Sequence, residues 1–235
     1  MIKRVEREFH KYSSKEKADH SARFFKTGIG EYAQGDLFLG VRNPDIYTVV
    51  NKFKKEITID ETFYFLQHEI HEYRLFALKV LEYKYKHGND KTKKEIVDIY
   101  LNNIKYINNW DLVDLSAPNI LGDYLLDKDR KVLYELVAKD DLWSKRVVIL
   151  STLAFIRNDD FYDTLKISEI LIDHKHDLIH KAIGWMLREV WKRDNNTAEK
   201  FIKDNYDGLA RTTLRYAIEK MEEDKRLEFL RKDFT

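Results

Sequence analysis

One ten-residue segment concentrates the side chains most able to do chemistry: Asn109-Trp110-Asp111-Leu112-Val113-Asp114-Leu115-Ser116-Ala117-Pro118. A helix starting near Asp111 sets Trp110 and Asp114 four residues apart, as neighbours on one face. Leu112, Val113 and Leu115 then take the opposite, buried side. Asp111 has an ordinary use as an N-cap or first-turn acid, where the helix dipole favours negative charge. Asp114 has a weaker one, because it interrupts an otherwise apolar stretch. A carboxylate beside an indole suits a cation, which meets full charge on one side and the negative ring face on the other. The competing reading is a capped, packed helix start that binds nothing.

A second indole, Trp185, lies in Lys181-Ala182-Ile183-Gly184-Trp185-Met186-Leu187-Arg188-Glu189. A glycine inside a helix costs about 1 kcal/mol against alanine, so Gly184 predicts close approach of either a neighbouring backbone or a ligand. Trp143-Ser144-Lys145-Arg146 opens another apolar helix with a basic pair, and Arg146 there either reaches a phosphate or is solvated. Histidines raise the question of a metal. His176 and His180 share a helix face, with Asp173 and His174 nearby, while His68-Glu69-Ile70-His71 misses the zinc-protease spacing by one residue. His174 and His176 fall at a helix junction, where polar side chains are usual, so no metal is expected. There is no glycine-rich phosphate loop of P-loop or Rossmann type and no G-x-S-x-G elbow.

The elements that must carry these residues read as helix after helix. Tyr73, Phe76, Ala77, Val80 and Leu81 form a stripe of period 3.6 with charges opposite. Comparable stripes cover 60–70, 93–107, 131–137, 142–156, 161–172, 178–191, 198–205, 209–221 and 227–230. Ser14, Asp60 and the pair Asn196-Thr197 stand where N-caps belong. No run alternates with period two for long enough to suggest a sheet. Helix pairs recur at roughly 30–40 residues, the rhythm of HEAT-like arrays, and predict an all-α solenoid continuous over residues 1–235 as a single domain. One segment breaks the rhythm: three of the eight glycines fall in residues 27–36, a loop expected to be functional or mobile.

Composition agrees with a folded helical protein. The 235 residues are 43% hydrophobic and 13% aromatic, with only 2 prolines to break helices. With no cysteine there can be no disulfide, thiolate nucleophile or cysteine-based zinc site, and a reducing, cytoplasmic compartment is expected. No stretch reaches the length of an uncharged membrane helix, and no signal peptide is expected from the charged residues 1–7. The net charge of +1 decides nothing about nucleic acid, because 35% of residues are charged and what matters is whether the basic ones share a face.

Together, Leu39-Gly40-Val41, Trp110-Asp111-Leu112-Val113-Asp114, Leu121-Gly122-Asp123, Trp143-Ser144-Lys145-Arg146 and the 181–189 string resemble the AlkD-type DNA alkylation repair glycosylases. Order and spacing match from about Ala22 to Lys220. The resemblance implies HEAT-like repeats with a concave, basic DNA-binding face, agreeing with the periodicity. It implies Asp114 as the catalytic aspartate, with Trp110 and Trp185 lining the lesion's sugar and backbone. Arg146 would contact a phosphate and Arg188 would face DNA similarly, with Lys145, Arg211 and Arg215 as further backbone contacts. Phe24 stands where relatives carry tyrosine, Arg42 where they carry glutamine, and the 27–36 loop looks longer. The implied partner is duplex DNA bearing alkylated bases, bound by a monomer without cofactor or metal, and the base stays outside the protein. Two other classes remain open: a non-catalytic binder of DNA structure on the same scaffold, and a protein-interaction solenoid.

Overall fold

In the computed structural model, which describes residues 1–234, the chain is all-helical: those residues contain no strand, only an isolated parallel bridge between Leu37 and Ile70. The chain divides into two compact units, Met1–Ser116 and Ala117–Thr235. Among the described residues no helix is long and apolar enough to cross a membrane.

The first unit comprises α1 (Ile2–His10), α2 (Lys15–Phe24), α3 (Asn43–Phe53), α4 (Ile59–Leu66), α5 (His71–His87), α6 (Asp90–Asn102) and α7 (Trp110–Asp114). Its centre is α5, against which α3, α4, α6 and α7 all pack. Phe9, Phe65, Tyr73 and Phe76 meet edge to face at 4.9–5.6 Å, each such pair adding about 0.5–1.5 kcal/mol beyond the area it buries. The charged side of α5 is exposed toward its end, at Lys86 and His87, but not at its start. Covered by other segments of the unit, its first turn buries His71, Glu72 and Arg74 to 2–3% exposure, so each needs an internal partner.

The helix starts are set by short polar side chains, though not always those expected. Ser14 caps α2 as predicted, accepting from the Lys17 N–H. For α4 the cap is Thr58 and not Asp60: Thr58 Oγ1 accepts from Glu61 N at 3.1 Å and Glu61 returns the bond to Thr58 N at 3.1 Å. Asp60 falls in the first turn, where its charge still suits the dipole.

The second unit begins with a π-turn, Pro118–Gly122, followed by α8 (Lys131–Val137), α9 (Leu142–Ser151), α10 (Leu153–Ile156) and α11 (Tyr162–Ile170). Then come α12 (Asp177–Trp191), α13 (Asn195–Asp204), α14 (Arg211–Ala217) and α15 (Glu223–Arg231). Asp194 caps α13, and Asn196-Thr197 lies inside its first turn. The stripe at 142–156 breaks at Thr152, where the Ser151 and Thr152 hydroxyls bond back to the carbonyls of Val147 and Ile149 at 2.7 Å, competing with the helix ladder. Here α12 is central, packed by α9, α10, α11, α13 and α14. Gly184 is explained by this packing: a Cβ would lie 2.5 Å from the Thr213 carbonyl oxygen of α14, so it is a helix backbone that comes close.

Candidate functional site

On α7 the two residues singled out for chemistry are held in place by their neighbours. Asn109, fully buried, caps the helix by accepting from Trp110 N at 2.8 Å. Leu112 and Val113 are fully buried as expected, whereas Leu115 is half-exposed. Trp110 and Asp114 are both half-buried, one helical turn apart. Trp110 lies on Phe25 with centroids 5.4 Å apart and planes at 24°, and meets the edge of Phe24 at 5.9 Å. Phe25 in turn contacts Phe38 at 5.3 Å and the His71 ring at 4.8 Å. The indole is thus one end of an aromatic column rooted in the first turn of α5.

At the root of that column lies a buried charge cluster. His71 Nε2 is 2.8 Å from Asp111 Oδ2, and its Nδ1 faces Asp36 Oδ2 at 3.5 Å, an ion-pair separation. Arg74 Nη2 donates to the same Asp36 oxygen at 2.5 Å, and Asn108 Nδ2 donates to its other oxygen at 3.1 Å. Arg74 Nη1 also donates to the carbonyls of His68 and Glu69, at 3.1 and 3.3 Å. Burial pushes the His71 pKa down, but the charge and hydrogen bond of Asp111, with Asp36 behind them, outweigh it and lift the value from 6.5 to about 9. Both ring nitrogens face carboxylates, the arrangement an imidazolium needs. One imidazolium and one guanidinium then balance two carboxylates. Burial pushes Asp36 up, yet His71, Arg74 and Asn108 together hold it below the usual carboxylate range.

A second buried carboxylate, Glu72, organises the loop beside α2. It accepts from the backbone N–H groups of Leu39 at 3.1 Å, Gly40 at 2.8 Å and Val41 at 3.1 Å. Sequence reading missed both clusters. The available signal was Asn109, a better cap than Asp111, which freed Asp111 for another partner. The glycine-rich loop was flagged, but the residue that ties it down is its last one, Asp36.

The other predicted site residues all belong to the second unit. Arg146 on α9 is 4% exposed and donates to the Leu178 carbonyl of α12, so it ties those helices together. Its neighbour Lys145 lies 3.6 Å from Asp140. On α12, Trp185 is half-buried and donates through Nε1 to Glu189 at 3.1 Å, while Arg188 pairs with Glu219. Arg211 and Arg215 are exposed and line a cleft of about 390 Å³ with Ile218, Glu219, Arg226 and Leu230. Glu219, the partner of Arg188, thus lines the same cleft as Arg211 and Arg215.

The histidines near the start of α12 serve as structure. His176 Nδ1 accepts from Leu178 N at 3.1 Å as the helix cap, His174 Nδ1 accepts from His176 N at 3.1 Å, and His180 bonds the His174 carbonyl. Burial lowers the pKa of His174 and His176.

Comparison with known proteins adds two matches. Residues 5–221 match the family described as "DNA alkylation repair enzyme". A solved structure, titled "Predicted DNA alkylation repair enzyme from Enterococcus faecalis", superposes with a TM-score of 0.72 over 90% of this chain and 97% of that one, at 16% identity. At that identity the likeness is one of fold. No curated protein matches the chain.

Proposed function

Because the chain belongs to the DNA alkylation repair enzyme family, we propose that it is a DNA glycosylase that excises positively charged alkylated purines from duplex DNA. Lesions of the 3-methyladenine and 7-methylguanine type carry a cationic base. The observation that carries the reading is α7, which presents Trp110 and Asp114 one turn apart on a buried, cross-braced base.

The chemistry asks little of a general acid, since a cationic base departs as a neutral molecule. What the transition state needs is negative charge near a sugar that becomes oxocarbenium-like as the N-glycosidic bond breaks. Asp114 supplies that charge and holds the water that adds to the sugar carbon, taking up its proton. The Trp110 ring face favours the cation by about 0.5–2 kcal/mol where water is excluded. On the second unit, Trp185 is the indole assigned to the DNA, with Lys145, Arg188, Arg211 and Arg215 as phosphate-facing cations. Arg146 acts there mainly through the α9–α12 tie, since little of it is open to solvent. The reaction consumes only water, so no cofactor is invoked. A monomer acting in the cytoplasm fits a DNA substrate and a chain without cysteine.

The test is release of methylated bases from alkylated duplex DNA, wild type beside Asp114→Asn. The variant should keep its helical content and duplex affinity but lose about 100-fold or more in release rate, the scale of removing one well-placed charge-stabilising group. Wild-type release by Asp114→Asn removes that carboxylate from the mechanism. Duplex binding by the wild-type protein with no release of any base would reassign the fold to non-catalytic DNA recognition.

A further inference from the structure

We propose that His71 is a positioning residue for base release: seated in the neck of the glycine-rich loop, it holds the first turn of α7, and with it the Trp110 ring, in the orientation the reaction requires. The proposal rests on the glycosylase reading above and gives that loop a purpose. The neck is closed by the residues that flank the loop, Phe25 and Phe38, whose rings stack at 5.3 Å with planes 13° apart. His71 lies against both, 4.8 Å from Phe25 and 4.7 Å from Phe38. Within the loop the chain turns at Lys26, φ +60°, and at Gly35, φ +87°. Ala33 N donates to the Lys26 carbonyl at 3.1 Å and Gly35 N to the Thr27 carbonyl at 3.3 Å, so the loop is braced internally. Its far end is stitched to the start of α5, where Leu37 N donates to the Glu69 carbonyl at 3.2 Å and His71 N to the Leu37 carbonyl at 2.8 Å.

A helix as short as α7 cannot fix its own orientation. It has five residues, whereas isolated helices below about 12–15 residues are marginal in water. Tertiary ties must set its angle, and two of them run through His71. Its Nε2 meets Asp111 Oδ2 at 2.8 Å, one residue along the chain from Trp110. Phe25, which lies against the His71 ring, also stacks on Trp110 at 5.4 Å. The indole is therefore held through its ring by Phe25 and through the adjoining residue by Asp111. Asp114 follows one turn later on the same face, so any rotation of α7 moves both groups. A buried ion pair is by itself weak evidence of a stabilising role. What distinguishes this one is that loop, α5 and α7 each supply a member, and that they meet at the ring on which Trp110 lies.

The surroundings also assign the working form of the ring. Asp111 of α7 and Asp36 of the loop face its two nitrogens at 2.8 and 3.5 Å, and Arg74 is the cation that α5 places beside Asp36. Glu72, next to His71 on α5, is engaged with the amides of residues 39–41. Phe25 and Phe38 add ring faces and no titrating group. An imidazolium satisfies all of this at once, with an N–H toward each carboxylate and its charge against two aromatic rings. A neutral ring has one N–H, so it gives up either the bond to Asp111 or the match with Asp36. Burial disfavours the charge, yet Asp111 and Asp36 overcome it and hold the proton to about 9. Base release should therefore fall as the pH rises through that value, with duplex binding spared.

The experiment measures single-turnover release of 7-methylguanine from an alkylated duplex, with the full-length protein saturating and protein-free release subtracted. Duplex affinity is followed beside it by fluorescence polarisation. Three variants accompany the wild type: His71→Gln, which has no proton to lose; Phe25→Leu, which removes the ring contact and keeps the charge cluster; and Thr58→Ala, which weakens the same unit at the start of α4. Wild-type release should fall about fourfold between about pH 7.5 and about pH 9.5, the loss of protonated ring for a midpoint of about 9. His71→Gln should begin about tenfold or more below the wild type and stay flat, since a misplacement of 1 Å can cost about 100-fold. Phe25→Leu should be slower yet keep the pH dependence, because Asp111 still reads the proton. All should bind duplex within about twofold of the wild type, the mark of an effect on the rate alone, and Thr58→Ala should release at the wild-type rate. Parallel pH profiles for wild type and His71→Gln, or full release by that variant, overturn the proposal. So does a loss of release that tracks lost duplex affinity or unfolded protein, which is a structural role. If His71→Gln does not fold, a flat wild-type profile or full release by Phe25→Leu overturns it. Each of those failures leaves the glycosylase reading standing, whereas a wild-type protein that releases no base sinks both.

Discussion

Raising the pH through 9 strips the proton from His71 and leaves two buried carboxylates, Asp36 and Asp111, facing a neutral ring with only Arg74 as counter-charge. In the unfolded chain a histidine titrates near its ordinary 6.5, whereas in the folded protein His71 holds its proton to about 9. Below about pH 6.5 both states are protonated and the full stabilisation is present. Between the two values the unfolded chain has released the proton and the folded one has not, so stability falls as pH rises. Above about 9 the contribution is gone. The gap between 6.5 and about 9 corresponds to about 3 kcal/mol, a large part of the roughly 5–15 kcal/mol that holds a typical domain folded.

Urea unfolding at about pH 6 and about pH 10, for wild type and His71→Gln, reads this directly. With a slope of about 1–3 kcal/mol per molar urea, the wild-type midpoint should drop by about 1–3 M between those conditions. The glutamine variant has no proton to lose there, so it should begin near the wild type's high-pH stability and change far less. Taking the difference between the proteins removes the tyrosines and lysines, which titrate in both. NMR titration of the imidazole gives the same quantity at the residue. Parallel pH profiles for the two proteins, or a His71 titration near 6.5, would refute the charged cluster.

Two further substitutions test the frame that holds the site. Gly184→Ala drives a methyl group into the Thr213 carbonyl and the Tyr216 Cβ, each 2.5 Å from the new atom, and should cost about 1–3 kcal/mol in thermal unfolding; an unchanged melting temperature would show that α12 and α14 do not lock there. Thr58→Ala removes the Oγ1 half of the α4 capping box, the bond accepted from Glu61 N, and should cost about 1 kcal/mol, with faster amide exchange confined to the first turn of α4; uniform exchange changes would argue against a local cap.

The fold was legible because the helices announce themselves by periodicity, and short polar residues stand near their starts. The misplaced caps are instructive. Asp60 and Asn196 are good N-cap residues, yet Thr58 and Asp194 take the position, since a cap is chosen by which side chain reaches the N3 amide. A single sequence offers several candidates within one turn.

The candidate site was legible only where its residues are adjacent in sequence. Trp110 and Asp114 lie four apart, so helical geometry alone relates them. The cluster beneath them draws on Asp36, His71, Arg74, Asn108 and Asp111, and its partners are as far as 72 residues apart. Periodicity even pointed the wrong way, since Glu72 and Arg74 occupy the face of α5 that a single helix would give to water. Their burial follows from the first turn of α5 being covered by other segments of the unit, which is a property of the tertiary arrangement. Once charges are buried, the physical demand is strict: each must find an opposite charge or a row of N–H donors, or the unit loses several kcal/mol. Glu72 finds three amides of the 39–41 loop and His71 finds Asp36 and Asp111. The cost of burying the α5 charges is thus offset by fixing the two segments that bound the candidate chemistry, the loop that leads to Arg42 and the first turn of α7.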